Sequence, residues 1–210
     1  NSPGTELYTK GKELYGLFKT KYNISKAGTA LVCEGYFDFL RLYESGFTNA
    51  VASLGTALTE DQINLIIRFG NKATMLYDGD DAGIKAAIRG ALLCLGKGMD
   101  IDVAIMPQGE DPDSLILKQG KEAMQELIAS APNFISFMAS DSRLKQPISE
   151  RIDMLLDALR SLKDQIKREL LVKDISEAFG ITETALNSKL HRSSAPMITN
   201  NQSQPVKTAS

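Results

Sequence analysis

Six acidic side chains follow three apolar segments in the middle of this 210-residue sequence. Carboxylates that are brought together without a counter-charge repel one another strongly, so such a cluster needs a cation. Carboxylate oxygens are hard ligands that suit Mg²⁺ or Mn²⁺, ions that keep some of their water and take phosphate oxygens as further ligands. The residue types therefore predict a divalent-metal site for phosphate chemistry, formed by Glu34, Asp38, Asp78, Asp80, Asp111 and Asp113.

The apolar segments before these acids have the length and composition of buried β-strands. Stretches with helical spacing separate one segment from the next, and this alternation predicts a parallel sheet with helices on its faces. In such sheets ligands bind beyond the carboxyl ends of the strands. We therefore expect the acids to share one edge of a sheet whose strands cover residues 30–34, 49–53, 73–77 and 101–106.

After Pro132 the strand signal ends and only amphipathic helices are predicted. An apolar stripe in one of them is typical of the core of a small helical bundle rather than of a ligand site. That stripe consists of Ile152, Leu155, Leu156 and Leu159. The predicted helices cover residues 133–140, 149–162, 164–179 and 182–191.

Both ends of the sequence are polar. The start, from Asn1 to Gly4, has neither the apolar core of a signal peptide nor an initiator Met, so we expect a piece of a longer protein without a leader. Residues 193–210 are rich in Ser, Asn, Gln, Thr and Pro and cannot bury enough apolar surface to order themselves. We expect them to form a disordered tail or linker that is dispensable for folding.

Composition excludes several other classes of protein. Two cysteines and one histidine, none in a C-x-x-C pattern, support neither a zinc site nor a disulfide framework, so a reducing cytoplasm is expected. The longest apolar runs are too short to span a bilayer. The net charge of −2 hides an acidic centre, since residues 34–113 contain thirteen acids and six bases. Bound divalent cations would reverse the sign of that centre and let it accept phosphates.

Each acidic motif alone has a simpler interpretation. A single D-x-D is usually a solvated turn, and D-G-D resembles the start of a calcium loop, although the spacing and the distant Glu of an EF-hand are not there. Glu34 is harder to explain in this way, because an acid at the end of a buried strand is costly unless it has a role. Three such motifs at three strand ends together favour a functional site.

Several segments of the sequence, among them those that contain the six acids, resemble a known family, the toprim domain, in the version found in bacterial DNA primases. The first segment of the resemblance, at residues 1–3 and 10–17, is similar to the stretch that joins the basic subdomain of primase to its toprim domain. The segments that resemble the toprim motifs are LVCEGYFD at 31–38, ASLGT at 52–56, YDGDDAG at 77–83 and GEDPDS at 109–114.

The resemblance implies template-directed joining of ribonucleotides into RNA primers for DNA replication. It assigns Glu34, Asp78 and Asp80 to catalysis and to Mg²⁺ or Mn²⁺, with Glu34 either a metal ligand or a general base. Asp38, Asp111 and Asp113 would be further ligands or supports. It also assigns nucleotide contacts to Asn1 and Lys10, although Lys10 alone would be interpreted as an ordinary surface lysine.

The expected fold is α/β, with a toprim-type parallel sheet flanked by helices and followed by a small all-α helical bundle. The expected partners are a single-stranded DNA template, ribonucleoside triphosphates and, through a C-terminal domain outside this sequence, the replicative helicase. We expect little or no activity from this part of a primase alone. The expected division is residues 1–29 as the end of the basic subdomain, 30–131 as toprim, 132–192 as the bundle and 193–210 as the tail.

Two other classes of toprim protein are alternatives at this stage. A topoisomerase would need a tyrosine nucleophile on a separate DNA-gate domain, and nothing in the sequence supplies one; a toprim nuclease belongs to the same group. A non-enzymatic scaffold of the recombination-mediator type would carry a cysteine-based zinc finger and would typically lack the full set of acids. The motifs favour the primase.

Overall fold

A four-stranded parallel sheet lies at the centre of the computed structural model, which describes residues 9–54 and 57–192. The strands lie in the order β2-β1-β3-β4, and every neighbouring pair is parallel. Apolar residues dominate the strands because helices cover both faces of the sheet. The strands are β1 Thr29–Cys33, β2 Ala50–Ala52, β3 Lys72–Tyr77 and β4 Asp100–Ile105. The predicted α/β fold with a parallel sheet is confirmed.

Helices connect the strands and cover the two faces of the sheet. Side chains on each strand alternate between two apolar cores, one on each face, as the two-residue period of a strand requires. Val32 and Met75 belong to one core, and Leu31 and Leu76 to the other. The helices of the α/β part are α1 Leu17–Ala27, α2 Tyr36–Glu44, α3 Glu60–Ile67, α4 Asp81–Gly96 and α5 Pro112–Ala129.

Four further helices follow, as the amphipathic pattern predicts. They are α6 Phe134–Ser140, α7 Ile148–Ser161, α8 Gln165–Phe179 and α9 Glu183–Arg192. Helix α7 lies close to α4, and a β-carbon built on Gly96 would lie 2.4 Å from the Ser161 hydroxyl oxygen. The predicted apolar stripe of α7 is buried in the same core as Val32 and Met75. The helices therefore share a core with the sheet.

Two details differ from the sequence prediction. Strand β1 ends at Cys33, so Glu34 lies just beyond the strand rather than within it. Helix α5 contains Gly120 with φ of +86° and ψ of 175°, which kinks the helix, whereas the helical spacing of residues 113–129 predicts a continuous one. Both cysteines are buried and free. None of the helices in the described ranges is long and apolar enough to cross a membrane. The predicted tail, residues 193–210, lies outside the described residues.

Leu155→Ala should lower the free energy of unfolding by about 2–5 kcal/mol, because it leaves a cavity in the shared core, where Leu155 is fully buried. Chemical denaturation should show one transition for the whole protein, shifted to lower denaturant. The matched control is Leu170→Ala, at a side chain that is 55% exposed, with an expected change within about 0.5 kcal/mol. Two transitions, of which only one moved, would contradict a shared core.

Candidate metal and phosphate site

Loops at the carboxyl ends of the strands carry the acids. Glu34 follows β1 directly, Asp78 and Asp80 follow β3, and the pair Asp111 and Asp113 comes after β4 at the start of α5. Because the strands are parallel, these loops meet at one edge of the sheet, which we call the acidic edge.

Gly79 lets the loops after β3 and β4 approach closely. A β-carbon at this position would lie 2.4 Å from the Met106 carbonyl oxygen and 2.5 Å from that of Pro107, distances that no real side chain tolerates. The loop that carries Asp78 and Asp80 therefore rests directly on the loop that leads to Asp111. Glycine is required here for space rather than for an unusual backbone angle.

Helix N-termini hold two of the acids in place. Asp80 caps α4, where its Oδ1 accepts a hydrogen bond of 2.7 Å from the Gly83 backbone N–H. Asp111 caps α5 in the same way and accepts from the Ser114 N–H at 2.6 Å. Capping satisfies an otherwise unpaired backbone donor and fixes the carboxylate. In both residues the bond uses one carboxylate oxygen.

Asp38 connects two of the acidic loops. Its Oδ2 accepts from the Gly35 N–H at 3.0 Å, and its Oδ1 accepts from the Asp113 N–H at 3.4 Å. Asp113 in turn accepts a 2.7 Å hydrogen bond from the Arg41 Nε of α2. Since Asp38 is only 8% exposed and both its oxygens bind backbone, its geometry favours a supporting role over direct metal binding.

Three of the acids line a cavity of about 320 Å³, which we call the acidic cavity. Glu34, Asp78 and Asp80 line it together, and within the described part of the chain no lysine or arginine forms an ion pair with any of the three. The structure thus brings together the three acids that the sequence predicts to be catalytic, while Asp38 and Asp113 form hydrogen bonds beside them.

Burial and mutual repulsion raise the pKa values of these acids. The pKa of Glu34 rises from 4.5 to about 7, first through burial and then through the charges of Asp78, Asp38 and Asp80. The pKa of Asp38 rises to about 6, again mainly through burial, although its backbone hydrogen bond from Gly35 opposes the rise. Burial and the charges of Asp111 and Asp80 also raise the pKa of Asp78. The acids therefore lie within range of one another's charge.

The donor chemistry of the acidic edge fits a hard divalent cation. No three Asp, Glu, His or Cys side chains of the described ranges converge as a closed set of metal ligands. An open set of carboxylates is nevertheless what suits Mg²⁺, which is usually held by one or two carboxylates and keeps several waters. A cation here would relieve the repulsion that raises the pKa values of Glu34 and Asp78.

The two predicted nucleotide contacts belong to the start of the chain. Asn1 lies outside the described residues. Lys10 begins a 3₁₀ turn, Lys10–Lys12, and only its backbone is described. The residues that follow this turn are fixed against α3, because the Gln62 amide donates to the Glu13 carbonyl oxygen at 2.8 Å.

Sequence reasoning did not identify Arg89, which also lines the acidic cavity. It lies on the same face of α4 as Ala82 and Ala86, at the helical spacing of four and three residues. That periodicity, counted from the helix start after Asp80, was the signal available in the sequence. Arg41, the partner of Asp113, had no comparable signal, because it depends on the packing of α2 against α5.

Comparison with known proteins agrees with the sheet and its acidic edge. A family model described as Toprim-like matches residues 31–116. The DNA primase of Aquifex aeolicus strain VF5 is 36% identical over 194 residues, which cover 92% of this chain and 39% of that protein. The crystal structure of the zinc-binding and RNA polymerase domains of Aquifex aeolicus primase matches with a TM-score of 0.77 at 36% identity, covering 90% of this chain and 46% of that chain. A primase catalytic domain solved with single-stranded DNA matches with a TM-score of 0.72 at 32% identity. The match covers 88% of this chain and 62% of that chain.

The parallel sheet, its acidic edge and the family model define a toprim-containing α/β protein. Within that class the chain belongs to the bacterial-type DNA primases, where it corresponds to the toprim-containing part of the catalytic core. It spans 39% of the length of the Aquifex aeolicus primase and 32% of that of Clostridium acetobutylicum.

Glu34→Gln should remove a pH-dependent loss of stability from the metal-free protein. The pKa of Glu34 is raised in the folded state, so folding favours its protonated form, and ionisation between pH 4.5 and about 7 destabilises the fold. The stability difference between wild type and variant should therefore shift against the wild type as pH rises through this range.

The measurement is urea denaturation in the presence of a chelator at several pH values. Glu150→Gln, at an exposed glutamate of α7, is the control and should leave the slope unchanged. A wild type that gained stability over Glu34→Gln with rising pH would contradict the raised pKa.

Proposed function

We propose that this chain is the metal- and nucleotide-binding part of an enzyme that makes short RNA primers on a DNA template. The observation that carries the proposal is the acidic cavity, which is lined by three carboxylates without an ion-pair partner among the described residues, in a chain of the DNA primase family. The proposed reaction is nucleotidyl transfer, in which the 3′-hydroxyl of one nucleotide attacks the α-phosphate of the next and pyrophosphate leaves.

The proposed roles follow from the surroundings of each acid. Asp78 and Asp80 would hold Mg²⁺ or Mn²⁺, since Asp80 keeps one oxygen free of its capping bond. When bound, such an ion lowers the pKa of the attacking hydroxyl and neutralises charge on the phosphate. Asp111 would support the same site from the next loop, and Asp38 and Asp113 would keep the loops in register through their hydrogen bonds.

Glu34 has two proposed roles, as a metal ligand or as the base that accepts the hydroxyl proton. A pKa of about 7 suits a general base, because such a group is both partly ionised and basic enough near neutral pH. As a ligand it would be deprotonated on metal binding and would release a proton near this pH.

A single-stranded DNA template is the proposed macromolecular partner. The related primase domain solved with single-stranded DNA supports this choice. Helix α1 offers suitable chemistry, since it contains lysines and no acid, and Phe18 and Tyr22 are 86% and 76% exposed. Aromatic rings that stack bases, combined with lysines that contact phosphates, are typical of single-strand binding. We further propose that the replicative helicase is a partner, through a domain outside this chain. The proposed location is the cytoplasm.

The alternative toprim classes are less well supported. The matched relatives are DNA primases, and the match extends from the toprim motifs into the helices after residue 132, since it covers 92% of the chain. A scaffold without catalysis gives no reason to keep Glu34, Asp78 and Asp80 together at an energetic cost.

Asp78→Asn combined with Asp80→Asn should abolish Mn²⁺ binding, because the variant keeps the shape of the site but removes two negative charges. Isothermal titration calorimetry measures the loss. Asp174→Asn, an exposed acid on α8, is the control and should bind as the wild type does. Equal Mn²⁺ affinity in the double variant would overturn the assignment of the metal to this edge.

The chain alone should bind ribonucleoside triphosphate with metal yet make little or no primer. The acidic cavity is complete, whereas residues 1–33, the basic end of the chain, contain only five lysines against two glutamates to hold a template. Template affinity depends steeply on the number of neutralised phosphates. Triphosphate binding should need divalent metal and should weaken in Lys10→Ala.

A primer-synthesis assay on single-stranded DNA, beside a nucleotide titration, tests this expectation. Abundant primers from this chain would show that it contains the whole template channel. Triphosphate binding without metal would place the nucleotide away from the acidic edge.

A further inference from the structure

Arg89 is a cation beside the acidic cavity that forms no hydrogen bond or ion pair within the described residues. It lines the cavity together with Glu34, Asp78 and Asp80. Helical side chains lean toward the N-terminus of their helix, so Arg89 extends from the third turn of α4 back toward its start at the acidic edge. The intervening positions on this face, Ala82 and Ala86, have small side chains and leave the path open.

Other cations near this face of α4 are already neutralised. Lys97 pairs with Glu60 at 2.8 Å, and Lys145 pairs with Asp81. Lys85 lies one helical turn before Arg89, is exposed and forms no ion pair within the described residues, although its charge acts on the Asp81 carboxylate from a distance. Arg89 and Lys85 are therefore available to an anion from outside the chain.

A second cavity connects the two cations. A cleft of about 730 Å³ between α4 and α7 is lined by Lys85 and Arg89, and Arg89 also lines the acidic cavity. Arg89 thus stands where the two cavities meet. An anionic group that leaves the acids along α4 would pass Arg89 first and Lys85 beside it.

We propose that Arg89 and Lys85 bind the outer phosphates of the nucleoside triphosphate and retain the pyrophosphate after transfer. This inference rests on the proposed function, because the acids must hold the α-phosphate end of the same nucleotide. Guanidinium groups bind phosphate through two parallel hydrogen bonds, and lysine adds a point charge. The acids bind the metal, whereas Arg89 and Lys85 bind the phosphates that leave as pyrophosphate.

A different role for Arg89 would be that of a counter-ion that only weakens the repulsion among the acids. The two roles predict different effects of removing Arg89 on the binding of Mn²⁺. A counter-ion competes with a divalent cation, so its removal should strengthen Mn²⁺ binding. A phosphate-binding arginine should leave the affinity for Mn²⁺ alone nearly unchanged and should alter only the binding of anions.

The experiment is calorimetric titration of the whole chain with Mn²⁺ alone and then, at saturating Mn²⁺, with inorganic pyrophosphate and with ATP and AMP. Arg89→Ala should weaken pyrophosphate and ATP binding by about tenfold or more, since charged hydrogen bonds are lost. Lys85→Ala should weaken them less, and Arg89→Lys should fall between Arg89→Ala and wild type. AMP, which has no outer phosphates, should bind each variant as it binds wild type. Lys163→Ala, at an exposed lysine outside both cavities, is the matched control.

The other outcomes are distinct. Unchanged pyrophosphate binding in Arg89→Ala, with Mn²⁺ affinity unchanged or increased, overturns this inference and leaves the metal site intact. A parallel loss of Mn²⁺ and pyrophosphate binding would also overturn it, because Arg89 would then act through the fold. Failure of the proposed function is recognised separately, since Asp78→Asn with Asp80→Asn would then leave Mn²⁺ binding unaffected.

Discussion

Repulsion among carboxylates at one edge of a parallel sheet is the constraint on which the rest of this structure depends. Parallel strands end together, so any acids placed after them are forced into proximity. Burial, together with the charges of the neighbouring acids, raises the pKa of Glu34 to about 7, so the folded protein resists charging all of them at once. The cation that we propose for this edge would relieve the repulsion and would couple the stability of the edge to its ligand.

The fold limits this cost by giving the surrounding acids backbone partners. Asp80 and Asp111 each cap a helix, where the partial positive charge of the N-terminus favours a carboxylate. Asp38 accepts two backbone N–H groups, one of them from the neighbouring acidic loop. The same bonds that stabilise the charges also fix the spacing of the loops. The hydrogen bonds from backbone N–H groups therefore both hold the loops of this edge in place and offset the charges of its acids.

The sequence predicted the four strands and the acidic edge because both depend on local patterns: four apolar runs of strand length, three of which are followed by acids. The residue pattern alone did not divide the six acids by role, and that division came only from the family resemblance, because it depends on contacts between distant segments. Arg41 reaches Asp113 across 72 residues of sequence, and the Asp113 N–H reaches Asp38 across 75. Arg89 was overlooked for a different reason: its significance comes from the cavity beside it, although its helical position could be counted from the sequence.

The core that α7 shares with the sheet limits how the molecule can be shortened. Leu155, Leu156 and Leu159 pack in the same cluster as Met75 and Val103, so a polypeptide that stopped at Ala131 would leave this face of the α/β layer open to water. Such a patch would invite self-association rather than yield a smaller soluble unit. A minimal toprim module from this protein would thus need new polar residues on α4 and β4 before it could be studied by itself.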